Sequence, residues 1–289
     1  FIDDLKLPGM LYAAIVRSRM AHARIRSIET GRAERMRGVV AVLTAKDVEQ
    51  HAGFLATDGG EGVPRARPLA SGKVRYYGEP VAMVIAEDRY VAYDAAELVE
   101  VEYERLEPVV DVEAALRDGA PLVHEELGTN VAFTHRRSGG DPEEAFGTAD
   151  VVRKYRFRIQ RLAAVPMETR GIVAEYEKGT GRLVVHTTHQ FPHDLRRWTA
   201  EALGIPLSDV RVVVHDVGGA FGSKITHYPE DVLVPLAAKL LGRPVKWIES
   251  RSESLAVSTQ GRGIVAEVEV AAKSSGRLLG ARLKVLGDV

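Results

Sequence analysis

Apolar residues in this chain come in short runs of strand length, and segments with helical character separate them. Residues 11–16, 39–43 and 81–86 are such runs, and Gly38 stands before the second of them as a turn residue should. Thr44-Ala45-Lys46-Asp47 has the form of a helix start, with Thr44 as N-cap. The Gly- and Pro-rich stretch 51–72 reads as a loop. A helix opening at Glu87-Asp88 leads into 99–103, where apolar and charged residues alternate with period two, so a β-α-β unit is expected. Residues 124–147 are polar and contain Ser138-Gly139-Gly140-Asp141-Pro142, the best place for a domain boundary. Beyond it the pattern predicts a strand at 183–186, a helix over 194–203 closed by Gly204, and a strand at 210–214. A helix over 229–241 between Pro229 and Gly242 follows, then a strand at 245–248. Interleaving of this kind requires a mixed α and β fold. No apolar run approaches the ~20 residues of a bilayer span.

Composition narrows the chemistry. The chain has 289 residues, enough for one large domain or two ordinary ones, with 45% hydrophobic and 27% charged residues. Its formal net charge of −1 gives no global basic field, so nucleic acid is not a favoured partner. The absence of cysteine excludes disulfides, thiolate zinc sites, cysteine nucleophiles and protein-ligated iron–sulphur clusters on these residues. The start, Phe1-Ile2-Asp3-Asp4, lacks an initiator Met and the features of a signal peptide, and residues 283–289 read as a strand cut short. Both ends are therefore expected to be interruptions.

Three stretches carry chemistry. The first, Val217-Gly218-Gly219-Ala220-Phe221-Gly222-Ser223-Lys224, lies between an expected strand and an expected helix. Its glycines permit positive φ and close approach of a ligand to backbone N–H groups, although a plain tight turn has the same composition. It is one residue short of the P-loop spacing, with Ile225 in place of the magnesium-binding hydroxyl, and G-x-G-x-x-G is absent. The second, His186-Thr187-Thr188-His189-Gln190-Phe191-Pro192-His193, raises a zinc or iron site on His186, His189 and His193. Pro192 places it across a strand-to-helix junction, so the three imidazoles need not converge. The third, Val165-Pro166-Met167-Glu168-Thr169-Arg170-Gly171, offers Glu168 and Arg170, ordinarily an ion pair or solvated charges. A glycosidase would need a second carboxylate opposite Glu168, with Glu230 or Asp231 the nearest candidates. Ser223 lacks a nucleophile elbow.

Taken in order, these stretches resemble one family, the molybdenum hydroxylase large subunits of the xanthine dehydrogenase, aldehyde oxidase and carbon monoxide dehydrogenase type, in their N-terminal part. Pro8-Gly9-Met10-Leu11-Tyr12, Ala21-His22-Ala23-Arg24-Ile25, residues 38–47 and Val74-Arg75-Tyr76-Tyr77-Gly78-Glu79-Pro80-Val81-Ala82 resemble its a/b hammerhead domain. Met167-Glu168-Thr169-Arg170-Gly171, Thr188-His189-Gln190, Gly218 to Lys224 and Arg243-Pro244-Val245-Lys246-Trp247-Ile248-Glu249 resemble the start of its molybdopterin-binding domain. The fold this implies is α+β: a hammerhead domain over 1–123, a linker over 124–147, and over 148–289 an incomplete N-terminal part of a mixed α+β molybdopterin-binding domain.

The resemblance also implies roles. Gln190 would donate a hydrogen bond to an oxygen ligand of molybdenum, and Gly219, Ala220, Phe221 and Gly222 would line the cofactor, with a backbone N–H near Phe221 or Ala220 reaching another metal oxygen. Gln190 and Phe221 are thus the catalytic candidates. The metal is held by the pterin dithiolene and by no side chain, and the cofactor carries the redox chemistry. The implied reaction is a molybdenum-dependent oxidative hydroxylation of an aldehyde, carbon monoxide or an N-heterocycle, with water as oxygen source, in a cytoplasmic hetero-oligomer. The implied cofactor is molybdopterin with Mo, in the cytosine dinucleotide form. Iron–sulphur clusters and FAD would sit on a small and a medium partner subunit, and the C-terminal remainder of the large subunit would complete the site. Thr169 stands where proline is common. Ile225 stands where purine-oxidising members have glutamate, which argues against xanthine. The family's general-base glutamate lies beyond these residues, so neither Glu168 nor Glu230 is given that role. The rival reading is a non-catalytic cofactor-binding or assembly module that needs a C-terminal partner chain.

Overall fold

The computed structural model describes residues 1–56 and 63–288. The strands are β1 (Leu11–Arg17), β2 (Ala23–Glu29), β3 (Val39–Thr44), β4 (Lys73–Val74), β5 (Pro80–Ala86), β6 (Glu100–Arg105), β7 (Val151–Leu162), β8 (Gly171–Glu177), β9 (Arg182–Thr187), β10 (Val210–Val214), β11 (Val245–Ile248), β12 (Gly261–Ala272) and β13 (Leu278–Gly287). The helices are α1 (Gly31–Glu34), α2 (Ala45–Val48), α3 (Arg89–Glu97), α4 (Pro142–Gly147), α5 (Pro192–Leu203), α6 (Glu230–Leu241) and α7 (Arg251–Val257). The loop expected over 51–72 falls in part on 57–62, outside the described residues. Its described remainder holds no regular element.

The chain forms two compact units. The first takes in the N-terminal segment, Pro64–Pro108 and Ala164–Thr259; the second takes in Val109–Ala163 and the segment from Gln260. The first unit is built on a seven-stranded mixed sheet of order β10-β9-β8-β11-β1-β5-β3, so strands from both sides of residues 124–147 share one sheet. The join is the parallel pairing of β1 with β11, Leu11 opposite Val245. Burial on both faces explains why β5 is apolar throughout. On one face α6 and the apolar side of α5 cover Leu11, Ile15, Met83, Ile85, Ile172, Leu183 and Trp247. On the other, Ala92 of α3 packs on Ala14 and Ala86. Both helices end at glycines with φ +60, Gly204 and Gly242, as their positions in the sequence suggested. Asp88 caps α3, its carboxylate accepting from the N–H groups of Tyr90 and Val91.

One expectation changes in three dimensions. β5, α3 and β6 follow one another, but β6 leaves the large sheet for a small one of order β4-β2-β6. Its outward residues Glu100, Glu102 and Glu104 suit a strand with one wet face, and Val101 and Tyr103 supply its apolar side. A β-α-β crossover within one sheet therefore does not form.

The second unit carries a long antiparallel sheet of order β13-β12-β7. β7 pairs with β12 from Val151 opposite Ala272 to Leu162 opposite Gly261. The short α4 lies inside the polar stretch 124–147. Asp141 caps it, accepting from the Glu144 N–H at 2.9 Å, and Pro142 opens its first turn.

Candidate functional site

The end of β9 and the loop after β10 come together in the first unit. The chain leaves β9 at Thr187, and Gln190 sits exposed just before α5, which Pro192 opens. The Gln190 N–H donates to the Lys224 carbonyl at 2.9 Å. Its side-chain Oε1 accepts from the Gly222 N–H at 3.1 Å and the Lys224 N–H at 3.3 Å. With the carbonyl end engaged by two backbone donors, the Nε2 amide is left without a hydrogen bond among the described residues. Gln190 thus both buttresses the loop and presents a neutral donor.

The loop offers donors of its own. Ser223 N–H bonds the Ala220 carbonyl at 2.9 Å, and those of Gly222 and Lys224 go to Gln190. The N–H groups of Gly219, Ala220 and Phe221 find no acceptor among the described residues. Positive φ at Gly219 (+92), Phe221 (+52) and Gly222 (+89) gives the sharply turned backbone from which anion-accepting nests are built. A Cβ at Gly222 would meet nothing within 4 Å, so open space lies in front of that backbone. Phe221, 77% exposed and in the left-handed region, is held out over the loop. Donors without acceptors, beside open space, fit a cofactor that brings its own oxygen atoms and its own metal ligands.

The other sequence candidates are placed elsewhere. His186 Nδ1 lies 3.1 Å from His215 Nε2, and the two rings stack. His189 is buried against Trp198; its Nδ1 accepts from the Phe191 N–H at 3.0 Å and its Nε2 faces the Thr226 carbonyl at 3.3 Å. Burial lowers the pKa of both imidazoles. His193 is exposed on α5. The three histidines of the metal reading do not converge, and among the described residues no group of three His, Asp or Glu side chains is set to hold a metal ion.

Glu168 and Arg170 do not pair with each other. Arg170 is buried, with bonds to Glu249 Oε1 at 2.6 and 2.9 Å and to Glu230 Oε2 at 2.9 Å, and its guanidinium lies 3.6 Å from the centre of the Tyr228 ring. Arg17 reaches Glu230 Oε1 at 2.6 Å and Glu253 at 2.8 Å. Burial alone would raise the Glu230 carboxyl, but the charges of Arg170 and Arg17 outweigh it and hold the group down at about 2. Glu230 therefore stays ionised and locked, which rules it out as the second carboxylate of a glycosidase. Asp231, beside it, has no such partner. Burial raises it to about 7, against the opposing Tyr228 N–H at 2.8 Å. Sequence reasoning named Asp231 only as a possible second carboxylate and Glu249 only within a family marker, and missed that both are buried and that Glu249 binds Arg170. Glu249 ends a strand and Asp231 begins a helix, positions that look like ordinary solvated acids until the helix is seen to be buried all round.

With this geometry in place, comparison with known proteins is informative. Residues 1–107 match the a/b hammerhead domain of aldehyde oxidase and xanthine dehydrogenase, and residues 123–289 match the molybdopterin cofactor-binding domain. The chain is 40% identical over 291 residues to the nicotine 6-hydroxylase large subunit of Paenarthrobacter nicotinovorans, covering 100% of this chain and 36% of the relative. It is 39% identical over 302 residues to the carbon monoxide dehydrogenase large chain of Afipia carboxidovorans, covering 100% of this chain and 37% of that one. The crystal structure of quinoline 2-oxidoreductase from Pseudomonas putida 86 superposes with a TM-score of 0.93 at 39% identity, over 100% of this chain and 37% of that chain. The chain thus spans little more than a third of the length of these relatives. It belongs to the molybdopterin cofactor-binding family that includes aldehyde oxidase and xanthine dehydrogenase.

Proposed function

We propose that these residues form part of the molybdenum-cofactor-binding large subunit of an oxidative hydroxylase, acting on an aldehyde, carbon monoxide or an N-heterocycle with water as the oxygen source. The observation that carries this reading is the pairing of Gln190 with the glycine loop. One carbonyl oxygen fixes the loop, the amide Nε2 is left over as a donor, the N–H groups of Gly219, Ala220 and Phe221 meet no acceptor among the described residues, and open space lies before Gly222. Gln190, Gly219, Ala220, Phe221 and Gly222 are the residues that would meet the cofactor. When bound, the cofactor supplies two-electron redox chemistry at molybdenum. The chain's own residues would hold its oxygen atoms by neutral hydrogen bonds, which costs less desolvation than a charge would.

On the same reading the cofactor is the cytosine dinucleotide form of molybdopterin. Electrons leave through iron–sulphur and FAD groups on separate small and medium subunits, the remaining part of a large subunit completes the site, and the assembly works in the cytoplasm. No helix among the described residues is long and apolar enough to cross a membrane. In domain terms, we assign 1–123 to the hammerhead, 124–147 to a linker and 148–289 to the cofactor domain. A second reading is a non-catalytic cofactor-binding or assembly module that needs a C-terminal partner chain.

The experiment that tests the reading is metal analysis of the protein purified from its host with whatever accompanies it. Molybdenum with iron in a larger complex is the expected result. Zinc alone at one per chain would overturn it. Molybdenum retained by a complex without hydroxylase activity would select the second reading.

A further inference from the structure

Glu168 stands at both ends of the glycine loop. Its Oε2 accepts from the Gly218 N–H at 2.7 Å, and its own N–H donates to the Gly218 carbonyl at 3.1 Å, so the two backbones are tied twice at the start of the loop. The same Oε2 lies 3.7 Å from the Nζ of Lys224 at the loop's far end. Only glycine permits this approach: a Cβ on residue 218 would come within 2.6 Å of the Glu168 Cβ. The remaining oxygen, Oε1, accepts from the Ile2 N–H at 3.2 Å.

Lys224 is 1% exposed, and its Nζ makes no hydrogen bond among the described residues. A buried ammonium without a hydrogen-bond acceptor is costly, and the Glu168 carboxylate is the charge set against it. That carboxylate is one of two that act on it. Glu249 also acts on Lys224, but it is already bonded to the Arg170 guanidinium at 2.6 Å. Between the two tied ends lie Gly219, Ala220 and Phe221, whose N–H groups meet no acceptor among the described residues.

We propose that Glu168 is a positioning residue that brackets the loop, by hydrogen bond at Gly218 and by charge at Lys224, and so fixes the donors of Gly219, Ala220 and Phe221 before any ligand arrives. This deepens the reading of the loop as a cofactor cradle. The bracket itself is a property of the chain, and it stands or falls separately from the identity of what the loop binds.

The test is amide hydrogen exchange on the full 289-residue chain, comparing peptides over 217–224 with peptides over β5 and α6. Glu168→Ala removes both attachments and is expected to speed exchange at Gly218, Gly222 and Lys224 about tenfold, with β5 unchanged. Glu168→Gln keeps an acceptor for Gly218 and loses the charge, so it should restore protection at Gly218 and leave the Lys224 end fast. Lys224→Met should protect that end again by removing the buried charge. Unchanged loop exchange in Glu168→Ala, or equal acceleration in Glu168→Ala and Glu168→Gln at Gly218, would overturn the proposal. If Glu168→Ala does not fold, the Gln and Met variants carry the comparison alone: Gln at wild-type rates throughout sinks it. Molybdenum content of the same variants in the complex reads the cradle separately. Loosened loops that keep molybdenum would refute the cradle and leave the bracket.

Discussion

Gln190 does two jobs with the two ends of one amide, and substitutions can separate them. Gln190→Ala removes the acceptor for the Gly222 and Lys224 N–H groups as well as the outward donor. Gln190→Glu keeps an acceptor toward the loop and puts a carboxylate in place of the outward donor. If the donor acts in the transition state, a lost hydrogen bond of ~2–4 kcal/mol slows turnover ~30- to 1000-fold, and both variants should show this in the complete enzyme. Faster amide exchange at Gly222 and Lys224 should appear in Gln190→Ala alone, because only that variant removes their acceptor. Wild-type kcat in Gln190→Glu would refute the donor role. Gly222 tests the loop differently. Its φ of +89 makes any side chain strained, by about 1–2 kcal/mol, and a Cβ would project into the open space in front of the loop. Gly222→Val is therefore expected to fold and to lose molybdenum from the complex. Full molybdenum occupancy in that variant would show that nothing approaches the loop there.

At the scale of elements, α6 is where the buried charges are gathered. Glu230 in its first turn neutralises Arg17 and Arg170, both of which come from other segments. Replacing one member of a buried ion cluster leaves the others uncompensated, so Glu230→Gln is expected to cost about 3–5 kcal/mol at pH 7. The folded carboxyl sits at about 2 against an ordinary 4.5, so its contribution is present above pH 4.5 and disappears as pH falls through 2. The difference between variant and wild type in denaturant melts should shrink over that window. Asp231 has the opposite sign. Its pKa is raised to about 7 from 3.8, so its contribution is fully present below pH 4 and lost as pH rises through 7. Asp231→Asn keeps the acceptor for the Tyr228 N–H and should match wild type at pH 4 while melting higher at pH 8. Equal melting temperatures at both values would refute the burial argument.

These same elements show what a sequence yields. β1, β3, β5, β9, β10 and β11 were legible because burial makes them apolar in short runs. α5 and α6 were legible because proline and glycine mark their ends. β7 was passed over although Tyr155, Phe157 and Ile159 alternate with Arg156 and Arg158, because it is exposed and has no continuous apolar run, and β8 was missed because Gly171 and Glu175 hide a buried strand. Within the site, Gln190 and the glycine loop were found by order along the chain. The bracket of Glu168 and the cluster around Glu230 were not, because their partners lie 50 to 213 residues away.

The second unit poses the question that concerns the molecule as a whole. In its sheet, Tyr155, Phe157 and Ile159 of β7 register against Val268, Ala266 and Ile264 of β12. Val268 and Ala266 in turn register against Leu283 and Val285 of β13. Side chains directly opposite share a face, so one side of the sheet is apolar across all three strands. Tyr155, Phe157, Ile159, Leu283 and Val285 are all exposed. The other side is polar and internally paired, with Lys154 on Glu269 at 3.1 Å, Arg156 on Glu113 at 2.5 Å and Arg158 on Asp111 at 2.7 Å. A contiguous apolar face of this kind, bounded by two long strands, β7 and β13, whose outer edges are unpaired among the described residues, is a surface that associates. The 289-residue chain by itself is therefore expected to self-associate at micromolar concentration. Phe157→Lys combined with Leu283→Glu should return it to a single copy in sedimentation, because a charge on each of two facing strands raises the desolvation cost of any contact there. Melting of the seven-stranded sheet should not change, since neither residue belongs to it. A wild-type chain that sediments as a monomer would show that the face is tolerated in water, and the association argument would fail.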